Sequence, residues 1–524
     1  MRRYAWLLGS LVLAAGCRQG DVNARWRPDP APAPSAAPAV VAAPRADGRL
    51  PAGVRPTRYH LELSVDPSQP TFAGRVRIGV EIERPTRSIV LHARDLRILT
   101  AAISTRAGKQ WARAAGRQAA HSKGADEELV LSVDHELPAG SAELDLEYEA
   151  PYGSNLSGLY RVERGGRHYA FTQFEPTDAR RAFPCFDEPG FKVPVDLSVT
   201  VPEGMIAVAN MPELRRRTNP ATRLETFEFQ TTPPLPSYLV AFAVGSFHVE
   251  DGARDPVPIR LVSLPGSEKL TSLALEAARA ELALLASYFG ERYPYPKLDI
   301  VAVPEFGAGA MENPGLVTFR EELLLLDDRT ASLEARRSLA GILAHELAHQ
   351  WFGDLVTPAW WDDLWLNEAF ATWMGGKISN QWKPSYRIPL ERVASKQWVM
   401  GLDSLASARR IRQPVHSSSE ALEAFDGITY VKGASVLGMA ERWLGPEEFR
   451  TGVRSYIARH RHGSARAADL FAALGEASGK DVARMMSTFV DRPGVPLVSL
   501  ESRCAKSRAG AASRVLTNSQ SEYR

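Results

Sequence analysis

Two histidines at helical spacing, His345 and His349, with Glu346 beside the first and Glu368 beyond eighteen intervening residues, restrict this chain's fold more than any other feature. Positions i and i+4 of an α-helix share one face, so both imidazoles of His-Glu-Leu-Ala-His can reach one point, with Glu346 next to it. The run from about Ser332 to Asp354 is rich in helix formers, Leu339, Ile342, Leu343, Leu347 and Trp351 recur at helical intervals, and Thr330 or Ser332 can cap it. Glu368 lies in WWDDLWLNEAFATWMGG, whose apolar spacing predicts a second, buried helix. A buried carboxylate needs a partner, and a metal ion is one. Zinc takes imidazole nitrogen and carboxylate oxygen, and two histidines plus one glutamate leave a position open for water, as catalytic sites do. The zinc pattern that continues with a glycine and a third histidine is excluded, because Phe352 and Leu355 occupy those positions. The expected cofactor is therefore one Zn2+ per chain, held by His345, His349 and Glu368.

Such a metal is a Lewis acid that makes water nucleophilic near neutral pH, and Glu346 is placed to carry the proton from the water to a leaving amine. The ligand set alone specifies a zinc hydrolase, endopeptidases included.

Four further segments narrow this. GAMEN (Gly309, Ala310, Met311, Glu312, Asn313) precedes HELAH by about thirty residues, WLNEAFA spans Trp365 to Ala371, TQFEPTDARRAFPCFDEPGFK spans Thr172 to Lys192, and FDGITYVKGASVLGM spans Phe425 to Met439. In this order and spacing they resemble the M1 family of zinc aminopeptidases, over roughly residues 48 to 500. The resemblance implies that Glu312 and Glu175, supported by Gln173, bind the substrate's free α-ammonium, with Glu368 contributing its second oxygen. It implies that the backbone of Gly309 and Ala310 holds the substrate extended, and that Tyr430 of ITYVKGAS stabilises the oxyanion. The expected partners are peptides with a free N-terminus. Two alternatives stay open: a zinc endopeptidase, and a lipid-anchored peptide-binding protein with weak or no turnover.

A chain of 524 residues, 44% apolar and 24% charged, is long enough for two or more domains, and a net charge of +2 argues against a nucleic-acid partner. Arg409, Arg410 and Arg412 read as a solvated loop. Arg2 and Arg3 precede an apolar run from Tyr4 to Ala15 that suits a secretory signal rather than a spanning helix. The ending Ala14-Ala15-Gly16-Cys17 resembles a bacterial lipobox, which implies lipidation at Cys17, an ordinary cleaved signal being the alternative. Arg18 then favours the outer membrane, so the expected location is the bacterial cell envelope, lipid-anchored and facing the periplasm or exterior. Residues 18–47, rich in proline and alanine, predict an extended tether. Cys185 and Cys504 do not establish a disulfide; they read as a buried small residue and a free thiol.

The fold class expected is multidomain α+β. Alternation at Tyr59, Leu61, Leu63 and Val65, and again at Val76, Ile78, Val80 and Ile82, marks an antiparallel β domain over residues 48–252. Helical periods from near Leu270 mark an α-rich unit over 253–490, resembling a thermolysin-like catalytic domain. Residues 491–524 open like a β domain and then become too poor in apolar groups to build one, which predicts an incomplete β domain or a disordered tail.

Overall fold

The computed structural model describes residues 42–119, 127–506 and 512–523. The signal-like segment with Cys17, and most of the 18–47 tether, lie outside the described residues.

Alternating side chains build the N-terminal unit as expected. Tyr59, Leu61 and Leu63 of strand Val54–Ser64, and Val76, Ile78, Val80 and Ile82 of strand Thr71–Ile82, are all buried. These two strands pair antiparallel at the centre of an eight-stranded sheet, which packs with a three-stranded and a four-stranded sheet around one core. The sheet is not purely antiparallel, since Val54–Ser64 also runs parallel to Val195–Pro202, with Leu61 opposite Leu197. Alternation reports which face of a strand is buried and carries no information on the direction of a partner far along the chain.

The expected boundary at residue 252 shifts for a similar reason. Strand His248–Ala253 pairs with Ile259–Ser263 and so opens the sheet of the second unit. That five-stranded sheet continues through Leu298–Val303 and Leu316–Arg320 to a two-residue edge strand, Ala310–Met311. Helices Ser272–Phe289 and Leu333–His349 pack against it, and Leu364–Trp382, Gly433–Leu444, Pro446–His460 and Ala467–Ser478 share their core, around Trp351, Trp365 and Trp373. Cys185 is a buried free thiol in the N-terminal core. Strands Val495–Lys506 and Ala512–Tyr523 form an antiparallel hairpin, with Leu497, Val498 and Leu500 exposed. Among the described residues no helix is long and apolar enough to cross a membrane.

Candidate active site

Two helices carry the metal-ligand candidates, and glycines set how they meet. Ser332 caps the first, its Oγ accepting the Ala335 N–H at 3.1 Å. The helix spans Leu333–His349 and stops five residues short of the expected Asp354. Gly353 has φ +137°, a conformation closed to most side chains, and the chain turns there. The second helix, Leu364–Trp382, passes so close to the first that a Cβ on Gly375 would lie 3.0 Å from the Gly341 carbonyl oxygen and 3.1 Å from the His345 nitrogen. Just beyond the first helix, Phe352 stacks flat on Phe370 of the second, with ring centroids 3.7 Å apart.

This crossing brings His345, His349 and Glu368 together, with one ligand atom of each inside a 4.8 Å span. His349 Nδ1 lies 2.8 Å from Asn367 Oδ1 and 3.2 Å from the Phe352 carbonyl oxygen. Both are acceptors, so Nδ1 carries a proton, and the neutral ring presents its lone pair at Nε2. That Nε2 is 2.9 Å from His345 Nε2, and Glu368 Oε2 is 3.3 Å and 3.7 Å from the two. Lone pairs and a carboxylate facing one another form a cation site, and a two-imidazole, one-carboxylate donor set fits zinc. Burial opposes charge on all three groups. It prevails at His345, whose pKa is lowered by burial and then by His349. At His349 burial is outweighed by Glu312 and Glu368, which raise it, and at Glu368 burial is outweighed by the histidines, which lower it.

Glu368 also belongs to a second cluster. One oxygen each from Glu175, Glu312 and Glu368 lie within 4.8 Å of one another. Glu175 follows strand Arg167–Gln173 of the N-terminal unit, whereas Glu312 follows the edge strand Ala310–Met311. Burial, with Glu312 adding repulsion, raises the Glu175 pKa, and burial also raises that of Glu312. Glu346 is buried and shifted up, by burial and then by Glu312. Buried oxygens of Glu175, Gln173 and Glu346 have no hydrogen-bond partner among the described residues. This cluster is rich in acceptors and short of donors, as a receptor for a cationic group must be.

The remaining GAMEN residues shape this wall. Among the described residues Ala310 and Met311 pair only with Leu316–Arg320, which leaves their other sheet edge open. Gly309 accepts the Arg320 N–H at 3.0 Å. Met311 Sδ meets Gln173 Nε2 at 3.5 Å. Asn313 turns back, its Nδ2 donating to Thr318 Oγ1 at 3.3 Å while its carbonyl accepts the Leu316 N–H at 2.9 Å.

Tyr430 sits on a π-helical turn, Ile428–Lys432, a form common at functional sites. Asp426 Oδ1 accepts the Ile428 and Thr429 N–H groups at 2.9 and 3.1 Å, and Arg409 grips Asp426 at 2.5 and 3.0 Å. Arg412 forms a two-point pair with Asp491 at 2.8 Å each. Arg409 and Arg412 are therefore braces rather than members of a solvated loop; their carboxylate partners lie outside the local sequence. The Tyr430 ring stacks on His345 at 6.0 Å, and burial followed by Glu368, Glu175 and Glu312 pushes its phenol up.

Sequence reasoning assigned no role to Asn367 or Gln350. Asn367 Nδ2 donates to Glu312 Oε1 at 3.2 Å and to Glu368 Oε1 at 3.0 Å. Gln350 Nε2 donates to the Glu312 carbonyl at 2.6 Å, while its Oε1 accepts the Tyr293 hydroxyl at 2.9 Å. Each adjoins a ligand in sequence, His349 or Glu368, and that adjacency was the available signal.

Comparison with known proteins agrees with this geometry. The profile described as the peptidase family M1 domain matches residues 273–489, and that of the peptidase M1 N-terminal domain matches residues 55–239. Aminopeptidase M1-D of Oryza sativa subsp. japonica is 38% identical over 464 residues, covering 87% of this chain and 52% of its own length. Aminopeptidase M1 of Arabidopsis thaliana is 38% identical over 468 residues, with 88% and 53% covered. The mitochondrial aminopeptidase 2 of Saccharomyces cerevisiae is 37% identical over 466 residues, with 86% and 47% covered. The chain thus spans about half the length of these curated relatives. Peptidases of this family are zinc-dependent in general. With both profiles matched in order and the HELAH and Glu368 helices crossing at one donor cluster, the chain belongs to peptidase family M1.

Proposed function

We propose that this protein is a zinc aminopeptidase that removes the N-terminal residue of peptides. One observation carries the reading: Glu368 is common to the metal-ligand triplet and to the carboxylate triplet. An α-ammonium nitrogen and the first carbonyl carbon of a peptide are two bonds apart. An anionic anchor for the ammonium beside the metal ligands therefore registers the bond after residue one, and excludes a chain extending beyond it.

His345, His349 and Glu368 would hold one zinc ion, which supplies Lewis-acid activation of water and carbonyl. Glu175 and Glu312 pair with the α-ammonium, Gln173 adding its unpartnered oxygen, and the free edge of Ala310–Met311 lies along the extended substrate. Glu346, buried with a raised pKa, takes the proton of the attacking water and returns it to the leaving amine. Tyr430, a phenol kept protonated, donates to the developing oxyanion. The test pairs an aminoacyl p-nitroanilide with its N-acetylated form. Zinc-loaded protein should cleave only the free amine and stop on chelation, while Glu346→Gln should keep the metal and lose turnover. Equal cleavage of the acetylated form would sink the exopeptidase reading.

We also propose a lipid-anchored location in a bacterial envelope, supported by the sequence Arg2 to Cys17. Incorporation of labelled palmitate that survives Cys17→Ser would refute it.

A further inference from the structure

One side chain ties both clusters together. Asn367 accepts the His349 Nδ1–H at 2.8 Å through Oδ1, and through Nδ2 it donates to Glu312 at 3.2 Å and to Glu368 at 3.0 Å. It is 1% exposed, and its partners lie on three separate pieces of chain: the HELAH helix, the GAMEN turn and its own helix. The room for its amide depends on Gly353, where a Cβ would lie 2.1 Å from Asn367 Oδ1 and 3.0 Å from His349 Nδ1.

We infer that Asn367 is a positioning residue that couples metal binding to recognition of the substrate's ammonium. By accepting from Nδ1–H it fixes the tautomer that points the His349 Nε2 lone pair at the metal. By donating to Glu312 and Glu368 it holds the amine-binding carboxylate at a set distance from the metal-binding one. Only a side chain with an acceptor and a two-hydrogen donor does both, so aspartate and leucine, of similar size, separate the roles. The ammonium half rests on the aminopeptidase reading; the metal half does not.

The experiment measures zinc affinity by competition with a chelator, and the kcat and KM of an aminoacyl p-nitroanilide, for the wild type, Asn367→Leu, Asn367→Asp and Gly353→Ala. Asn367→Leu should bind zinc roughly 10–100-fold more weakly, the usual effect of losing the partner of a ligating histidine. Asn367→Asp keeps the acceptor, so its zinc affinity should stay within about threefold of the wild type by the same argument. It has no donor and repels Glu312 and Glu368, so its KM should rise with kcat less affected. Gly353→Ala should weaken zinc in the manner of Asn367→Leu. Unchanged zinc affinity in Asn367→Leu overturns the inference, as does a loss in Asn367→Asp equal to that in Asn367→Leu, which would mark a packing role. Should the leucine variant not fold, Asn367→Asp decides: retained zinc with raised KM supports the coupling, and both unchanged or both lost overturns it. Wild-type protein that binds zinc but cleaves no free-amine substrate would refute the proposed function and leave the zinc comparison readable.

Discussion

Replacing Glu281 by glutamine should raise this protein's stability relative to the wild type more at neutral pH than in mild acid. Glu281 lies on helix Ser272–Phe289, fully buried, with Oε1 3.3 Å from Ser379 Oγ and no partner for Oε2 among the described residues. The Ser379 hydroxyl also lies 2.8 Å from the Gly375 carbonyl oxygen and 3.1 Å from that of Ala340. Its single proton is shared among Glu281 Oε1 and these two carbonyls, so it satisfies the carboxyl only weakly. Burial pushes that carboxyl well above its ordinary value, and Ser379 only partly offsets this. For an acid raised in the folded state, stability is complete below the unfolded pKa, about 4.3, and falls as pH rises toward the folded pKa. Each pH unit in that interval costs about 1.4 kcal/mol. Glutamine cannot ionise but buries an unpaired NH2, at roughly 1–3 kcal/mol. The variant should thus gain on the wild type as pH rises from 5 to 8, by up to about 1.4 kcal/mol per pH unit. Urea unfolding of both metal-free proteins from pH 5 to 8 gives the comparison. A difference that does not change with pH would refute the protonated-acid assignment.

Tyr430→Phe removes one donor to the oxyanion and should lower kcat by about 10²–10³ with little change in KM, measured by steady-state kinetics. Gly375→Ala gains about 1 kcal/mol of helix propensity but drives a methyl into the Gly341 carbonyl and His345 backbone, an overpacking cost of roughly 1–3 kcal/mol. Its zinc affinity should fall as the two ligand helices separate, and chelator competition checks this. Lys192→Met removes a buried ammonium from the N-terminal unit that donates to the carbonyls of Asp354, Leu355 and Gly463 at 2.7, 3.1 and 3.2 Å. The carbonyls keep other donors, Thr357 Oγ1, the His462 N–H and the Thr357 N–H, so losing the three bonds from Lys192 should cost about 1–3 kcal/mol, read as a lower midpoint in urea.

The ligands, Glu346 and both of their helices were legible in the sequence because each depends on residues within a few turns of one another. Helical spacing puts His345 and His349 on one face whatever the rest of the chain does, and Ser332 caps its helix through a contact three residues away. Glu175, Glu312 and Tyr430 were reached through motifs, since no periodicity links Glu175 to a helix 170 positions later. What the tertiary structure decided is of another kind. It chose the parallel partner of Val54–Ser64, gave His248–Ala253 to the second sheet, and turned Arg409 and Arg412 from a loop into braces. It set the proton on His349 Nδ1 and placed Asn367 between metal ligand and amine site. Such contacts join residues far apart in the chain through short, directional bonds. A sequence records the donors and acceptors, and only packing decides which of them meet.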